Sequence, residues 1–486
     1  MIAAAALLLA LQAPPEKKVL LIFIDGFVPD AIATTKTPAL QALSKHAAWS
    51  MEARAESTTI SGSGWSTFLT GVHWDKHGVP DNAFEKPNYK EYPSIIALLK
   101  EARPKAKTTV AQCWKPIEDE LIELHPPDFR IFHDYDAYST DYWDAESCDT
   151  KCAEDLVPVL RDEDVDLAVI MFGELDGVGH SEENSHYDAG DPLYQKMLAK
   201  TDAHIGALLA AIQARPTFAR EDWLVIMSTD HAGSKGRGHG QNIPAHRRIP
   251  LLVSGPSVVP GEIWPPPKAA DIVPTALHHL GVEIREEWDL DGRVIGFEVM
   301  TRPEPQLGAN LIFNGDAEYE RGYTSYVGQP DASVPGWDDP GAMTVIAYGA
   351  GNGFPRKGSG RSFFAGGGVA ADAFMTQEID VSSLAEAIDD GVEIELSGML
   401  GGYADQEDRA ELRAVFLDAA GEELGVLSLV GGTAKTRRGR TGFEAVSAGA
   451  EVPLGTRRIR VRLDALHAEG HNDGYADDLV LVLGKR

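Results

Sequence analysis

At 486 residues the chain is too long for one ordinary domain, and two or three are expected. Its formal net charge of -30 argues against a nucleic-acid duplex or an anionic membrane surface as partner, while 43% hydrophobic residues permit sizeable cores. An anionic substrate would need local positive charge, which metal cations can supply.

Met1 to Ala13 is nearly all Ala, Leu and Ile. It is too short to span a bilayer and fits the core of a signal peptide, so the reading is a secreted, periplasmic or cell-envelope protein with a leader over residues 1–16. No later stretch is long enough for a transmembrane helix. Val19 to Ile24 then reads as a buried strand that stops at Asp25-Gly26. Thr37-Pro38 opens a helical pattern through Leu40, Leu43 and Ala47. Ser61-Gly62-Ser63-Gly64-Trp65 leads small residues into another short helix, where a serine faces the positive helix end and free N–H groups. Ile95 to Leu99 continues the helical rhythm until Arg103-Pro104.

Thr108 to Cys113 is strand-like, and Leu156 to Leu160 is helical. The cysteines are Cys113, Cys148 and Cys152; a local Cys148–Cys152 disulfide and two free thiols both remain open. Leu167 to Phe172 runs into Glu174-Leu175-Asp176, with His180 four residues on. Pro192 begins a long helix through Ile212. Trp223 to Met227 delivers Asp230-His231 at its end, with His239 downstream. Ile249 to Val253 is a further strand, and Asp271 to Leu280 a last helix closed by Gly281. This alternation over residues 17–300 predicts an α/β fold with a mostly parallel sheet between helices.

Residues 301–308, with Arg302-Pro303-Glu304-Pro305, read as a linker. Beyond it, Gly-rich turns separate short alternating strands at Met343–Tyr348, Val392–Leu396, Leu412–Leu417, Arg458–Leu463 and Leu479–Leu483. Residues 309–486 therefore read as an all-β sandwich with one helical pattern at Leu384–Ile388.

A lone Asp-His pair is more often a turn or a cap than a ligand. Three strand ends bearing Asp25, Asp176/His180 and Asp230/His231, with His239, instead make a mixed Asp/His set of the kind that suits zinc. These pieces, with Ser61…Leu69-Thr70-Gly71 and Lys76-His77-Gly78, occur in an order that resembles the alkaline phosphatase superfamily. Within it, the chain resembles the type I phosphodiesterase/nucleotide pyrophosphatase group. The resemblance implies two Zn²⁺ sites, one on Asp176, His180 and His239, the other on Asp25, Asp230, His231 and Ser61. Two such ions about 4 Å apart clamp an in-line displacement. It also implies that Ser61, nine residues before Thr70, is the nucleophile, with Thr59 and Ser63 as alternatives.

Gly64 stands three residues past Ser61, where that branch usually has Asn. Gly62, Lys235 and Arg237 are candidates to hold phosphoryl oxygens, and Trp65 could stack on a substrate ring. Ser63 and Trp65 occupy positions that a formylglycine sulfatase needs as Pro and Arg, which argues against that chemistry. The C-terminal part, with Asn310 to Glu318, Val334-Pro335-Gly336-Trp337 and Asn472 to Leu479, resembles galactose-binding-like jelly-roll modules. That resemblance implies a glycan partner and a structural Ca²⁺ on Asp316, Glu318 or Asp478. The expected function is hydrolysis of a phosphoester small molecule through a phosphoseryl intermediate. The alternatives are a phosphomonoesterase, a sulfatase-like hydrolase, or an inactive glycan-binding surface protein.

Overall fold

Strand β1 (Glu16–Ile24) buries every side chain from Lys18 onward. Val19, Leu21 and Phe23 join one hydrophobic cluster and Leu20, Ile22 and Ile24 another. A strand whose alternate residues enter two separate cores must lie inside a sheet covered on both faces. The computed structural model describes residues 14–134, 143–144, 146–298, 302–319, 321–324, 334–338, 343–351, 354–368 and 371–485, so residues 1–13 of the leader expected over residues 1–16 lie outside the described part.

The described residues of Met1–Gly240, Arg248–Ile263 and Lys268–Val299 form one unit. Its further strands are β2 (Ala47–Arg54), β3 (Thr108–Gln112), β4 (Phe129–Phe132), β5 (Leu167–Phe172), β6 (Glu221–Ser228), β7 (Arg248–Ser254) and β8 (Gly261–Glu262). They pair in the order β4-β3-β5-β1-β6-β7-β2-β8. The first five are mutually parallel, and β7 runs against both neighbours, so the sheet is mixed with a parallel core.

The helices that matter here are α1 (Pro38–Ser44), α2 (Ser61–Thr70), α3 (Ile95–Ala102), α4 (Cys148–Asp162), α5 (Glu174–Asn184), α6 (Pro192–Gln213) and α7 (Ile272–His279). Residues of α2, α3 and α7 pack on the Val19 face, and residues of α1, α4, α5 and α6 on the Leu20 face. Asp191 caps α6 by accepting from the Leu193 and Tyr194 N–H groups, and Pro192 takes the first helical position. The apolar rhythm expected to carry α1 on to Ala47 stops at Ser44. Ala47 instead begins β2, because pairing with β7 satisfies that backbone.

The second unit comprises the described residues of Gln241–Arg247, Trp264–Pro267 and Met300–Arg486. It holds β9 (Thr344–Ala347), β10 (Ser362–Ala365), β11 (Ala373–Asp380), β12 (Val392–Gly402), β13 (Arg409–Leu417), β14 (Glu423–Val430), β15 (Gly442–Glu451), β16 (Arg458–Leu466) and β17 (Tyr475–Lys485), with α8 (Ala385–Gly391) between β11 and β12. The strands form antiparallel sheets in the orders β15-β12-β17-β10-β9 and β11-β16-β13-β14. Ile394, Leu396 and Leu481 of the first sheet share one core with Leu412, Ala414 and Val461 of the second. The apolar residues alternate along β12 and β13, which lets one face of each sheet be buried. β10, β11, β14 and β15 were not legible as strands. β15, for example, is Gly/Ala-rich and only half buried.

One buried ion pair in the first unit predicts a pH effect. His73 Nδ1 lies 2.7 Å from Glu56 Oε1, and both side chains are nearly inaccessible. Burial alone would depress the imidazole, but the Glu56 carboxylate overrides it and holds His73 at about 9. Its folded value lies above its ordinary 6.5, so its contribution is complete below that pH and is lost as pH rises through 9. The shift corresponds to about 3 kcal/mol. Urea unfolding of the wild type should therefore lose roughly that much stability relative to Glu56→Gln between pH 6 and pH 9.5. A constant gap across that range would refute the assignment.

Candidate metal centre and cleft

Three adjacent strands of the first unit, β5, β1 and β6, run parallel and end at one edge of the sheet. Open α/β sheets collect ligands at this edge, because the strands stop there and the connections must splay apart. β1 is followed at once by Asp25, β6 by Thr229-Asp230-His231, and β5 by Gly173 and then α5, which carries Asp176 and His180. His239 arrives on the loop after β6.

The ligand atoms of Asp25, Asp230 and His231 lie within 4.8 Å of one another, as do those of Asp176, His231 and His239. His231 thus falls in both groupings. His180 stands beside the second, with Nε2 3.3 Å from Asp176 Oδ2 and 2.9 Å from His239 Nε2. The rings of His231 and His239 stack with centroids 3.7 Å apart.

The imidazoles are all held by their other nitrogen. His231 Nδ1 donates to the Ala232 carbonyl at 3.1 Å, His239 Nδ1 to the Thr59 carbonyl at 2.8 Å, and His180 Nδ1 to Asn184 Oδ1 at 2.8 Å. That tautomer turns each Nε2 lone pair inward, as metal-ligating histidines require. Burial, reinforced by the neighbouring His239, holds His231 well below its ordinary value, so it is a neutral ligand.

The carboxylates fit the same reading. Asp25 Oδ1 and Asp230 Oδ2 are buried without a hydrogen-bond partner, and each lies within 3.5 Å of His231 Nε2. Burial first, and then the charges of Asp230 and Asp176, push Asp25 well above the carboxylate range; burial and Asp176 push Asp230 to about 8. Buried carboxylate oxygens left unmatched beside one another are costly unless a cation neutralises them. The donor set and the two orphaned oxygens therefore fit a pair of divalent cations.

Ser61 is the first residue of α2, and its Oγ lies 3.4 Å from His231 Nε2. Of Thr59, Ser61 and Ser63, it is Ser61 that lines the cleft, while Thr59 and Ser63 are fully buried. Thr59 adopts a left-handed backbone (φ +28°) and gives its carbonyl to His239 and to the Gly240 N–H. Such strain in a β-branched residue costs about 1–3 kcal/mol and persists where the surroundings impose it.

Small residues in α2 admit this approach. A Cβ on Gly64 would sit 2.4 Å from Asp230 Cβ and 2.9 Å from its Cα and O. Gly64→Ala should therefore cost about 1–3 kcal/mol by overpacking and displace Asp230. We expect a melting temperature lower by several degrees and impaired uptake of a divalent cation, measured by calorimetry. Gly206→Ala, inside α6 and with a Cβ that would meet nothing nearer than 3.7 Å, should leave cation uptake unchanged and not lower the melting temperature. Unaltered cation affinity in Gly64→Ala would show that the contact does not position the carboxylate.

The remaining expected contacts fall unevenly. Trp65 lines the cleft, yet its indole is almost wholly buried against Phe23 and Phe68, and Nε1 donates to Asp25 Oδ2 at 3.2 Å. It orients a carboxylate, and its ring is spent in the core. The Gly62 N–H donates to Asn82 Oδ1 at 2.7 Å, so the amide is already engaged. Lys235 and Arg237 are exposed and lie outside the cleft lining, with Lys235 Nζ 3.4 Å from Asp188 Oδ2.

Sequence reasoning missed Asn82, Asn184 and Tyr187. Tyr187 donates to Asp176 Oδ1 and packs where a Cβ on Gly179 or Gly233 would stand. Those glycines beside His180 and His231 were the available signal. Asn82 lies 21 residues beyond Ser61 with no local pattern to mark it.

The cleft has a volume of about 530 Å³ and is lined by residues of the ligand cluster together with Asn82, Gln112, Trp114, Lys115 and Asp134. In the second unit, Glu318 Oε1 accepts the Arg361 and Ser362 N–H groups, and Asp478 Oδ2 accepts from Ser359. Among the described residues, the converging metal-ligand groupings are the two above, and Asp316, Glu318 and Asp478 form no third. Those carboxylates hold loops.

No curated protein matches this chain. Solved structures similar to it include the phosphonate monoester hydrolase of Agrobacterium radiobacter, at 16% identity and TM-score 0.45 over 58% of this chain and 76% of the other. Murine ectonucleotide pyrophosphatase/phosphodiesterase 5 matches at 14% identity and TM-score 0.44 over 55% and 95%. A putative sulfatase from Bacteroides thetaiotaomicron matches at 12% identity and TM-score 0.46 over 58% and 74%. Residues 19–245, the stretch that carries Asp25, Ser61, Asp176, His180, Asp230, His231 and His239, match the family model described as type I phosphodiesterase / nucleotide pyrophosphatase.

Proposed function

We propose that the protein is a secreted, two-zinc hydrolase of phosphodiesters that works through a phosphoseryl intermediate on Ser61. The observation that carries this reading is a serine hydroxyl 3.4 Å from His231 Nε2, at a helix start facing a cleft, beside buried carboxylate oxygens that lack partners. The family match over residues 19–245 supports it.

The cations would lower the pKa of the Ser61 hydroxyl, draw charge from the leaving oxygen and activate water. The chain's own groups do the rest. His231 stands 3.4 Å from Ser61 Oγ with Asp25 and Asp230 against its Nε2, while Asp176 and His239, with His180 beside them, would hold the second cation. Ser61 Oγ attacks phosphorus, and the bond from phosphorus to the leaving oxygen breaks. Asn82, fixed through the Gly62 N–H, holds a phosphoryl oxygen. Water then attacks the same phosphorus, and the bond to Oγ breaks.

The size of the cleft favours a diester over a monoester. At about 530 Å³, and lined by Trp114 and Lys115 as well as the ligand cluster, it leaves room for a second ester substituent. Zinc-loaded protein should hydrolyse bis-p-nitrophenyl phosphate with kcat/KM at least tenfold above that for p-nitrophenyl phosphate. The reverse order would make it a phosphomonoesterase, and turnover of p-nitrophenyl sulfate alone would sink both.

A further inference from the structure

One face of the cleft rests on a thiol cluster that the proposed chemistry does not use. Cys113 follows β3 and lines the cleft between Gln112 and Trp114. Behind it lie Cys148 and Cys152 of α4, and all three thiols are free and buried in one hydrophobic cluster. Cys113 Sγ and Cys152 Sγ are 3.4 Å apart; Cys148 also lies within hydrogen-bonding reach of Cys113, but its thiol donates to the His133 carbonyl at 3.4 Å.

The alternatives can be weighed by geometry. Cβ atoms four residues apart on a helix are about 5–6 Å apart, and a disulfide needs about 3.5–4.5 Å. A Cys148–Cys152 bond would therefore unwind the first turn of α4. That turn carries Asp149, whose carboxylate accepts the Gly173 and Glu174 N–H groups. Nor do the three sulfurs form a grouping within 4.8 Å of one another, as a three-thiolate metal site would need. For Cys113 and Cys152 the sulfurs must close by only about 1.4 Å to reach bonding distance.

We infer that Cys113 and Cys152 form a reversible disulfide that ties the cleft wall to α4, made by exchange with a low-molecular-weight disulfide that enters through the cleft. Cys113 attacks the small disulfide, forms a mixed disulfide and expels one small thiolate. Cys152 then attacks Cys113 Sγ and expels the second. The two thiol protons go to the released thiolates. The balance is two protein thiols and one small disulfide giving one protein disulfide and two small thiols. Cys148 keeps its thiol.

The bond would act on the cleft because each of its anchors is tied to residues that line it. Cys113 is joined directly to Trp114 and Lys115, while α4 also holds Gly173, another residue of the cleft lining at the end of the neighbouring strand, through Asp149. Drawing Cys113 toward α4 moves the side of the cleft that would receive the second ester substituent. This part rests on the proposed phosphodiesterase reading; the bond itself does not.

The full-length protein should be incubated with oxidised glutathione, alkylated under denaturing conditions and digested for mass spectrometry. The expected result is a Cys113–Cys152 cross-linked peptide that dithiothreitol releases, with Cys148 alkylated. Cys148→Ser should give the same cross-link, and Cys113→Ser should give none. A Cys148–Cys152 or Cys113–Cys148 link, or three alkylated cysteines after oxidation, would overturn the assignment, and no activity is needed to see it. In a parallel assay on bis-p-nitrophenyl phosphate, oxidation should change KM at least threefold, reversibly. An unchanged KM with the cross-link present would overturn the coupling to the cleft. An inactive protein that forms the cross-link would fault the phosphodiesterase reading instead.

Discussion

A Ser61→Ala protein is expected to lose about 10⁴–10⁶-fold of its kcat on a phosphodiester while keeping its metal and its melting temperature. The hydroxyl is the group at this edge of the sheet that can form a covalent bond to phosphorus from within the cleft, since Thr59 and Ser63 are sealed off. Its removal strands no buried partner, because His231 Nε2 still faces Asp25 and Asp230 within 3.5 Å. Stability should therefore stay within about 1 kcal/mol of wild type. Zinc content by atomic absorption and melting by calorimetry separate this outcome from simple unfolding. A folded, zinc-loaded Ser61→Ala protein with wild-type turnover would remove the serine from the reaction.

Metal removal is the second large effect. Chelation should abolish hydrolysis and lower the melting temperature by about 10 °C, because ions held at about a thousandfold over their Kd contribute roughly 4 kcal/mol. The chelated protein should also acquire a pH dependence. Burial and the Asp176 charge hold Asp230 at about 8, and Asp25 is raised as well. A carboxyl group raised above its unfolded value supports folding fully below about pH 4. That support is lost as pH rises through 8.

Metal-free protein should therefore melt progressively lower from pH 5 to pH 8, while the loaded protein does not. Zinc uptake at pH 7 should release protons, seen as a binding enthalpy that changes with buffer ionisation heat. Full activity after exhaustive chelation would sink the metal reading, and proton-neutral uptake would contradict the buried carboxyl groups.

The parts of the fold legible in the sequence were those where one local rule dominates. Val19–Ile24, Leu167–Phe172 and Trp223–Met227 are apolar without interruption, which fits strands buried on both faces, and they became β1, β5 and β6. Helix α6 was legible from Pro192 and its apolar spacing. Where two rules compete, local reading failed. Ala47 continues a helical rhythm but starts β2, because β7 supplies a hydrogen-bonding edge three residues beyond the end of α1. In the second unit, Gly442–Glu451 carries little apolar signal, yet it pairs with β12 along ten residues and so becomes β15.

The side chains show the same division. Local hydrophobic pattern sets where the central strands end, so the residue order alone put Asp25, Asp230 and His231 at one sheet edge. Only the tertiary structure decided that His231 belongs to both ligand groupings, that Asn82 takes the Gly62 amide, that Lys235 and Arg237 point elsewhere, and that Cys152 faces Cys113. Those outcomes depend on the direction of a side chain relative to a partner many residues away. Packing of whole elements sets that direction, and periodicity along one chain segment carries no record of it.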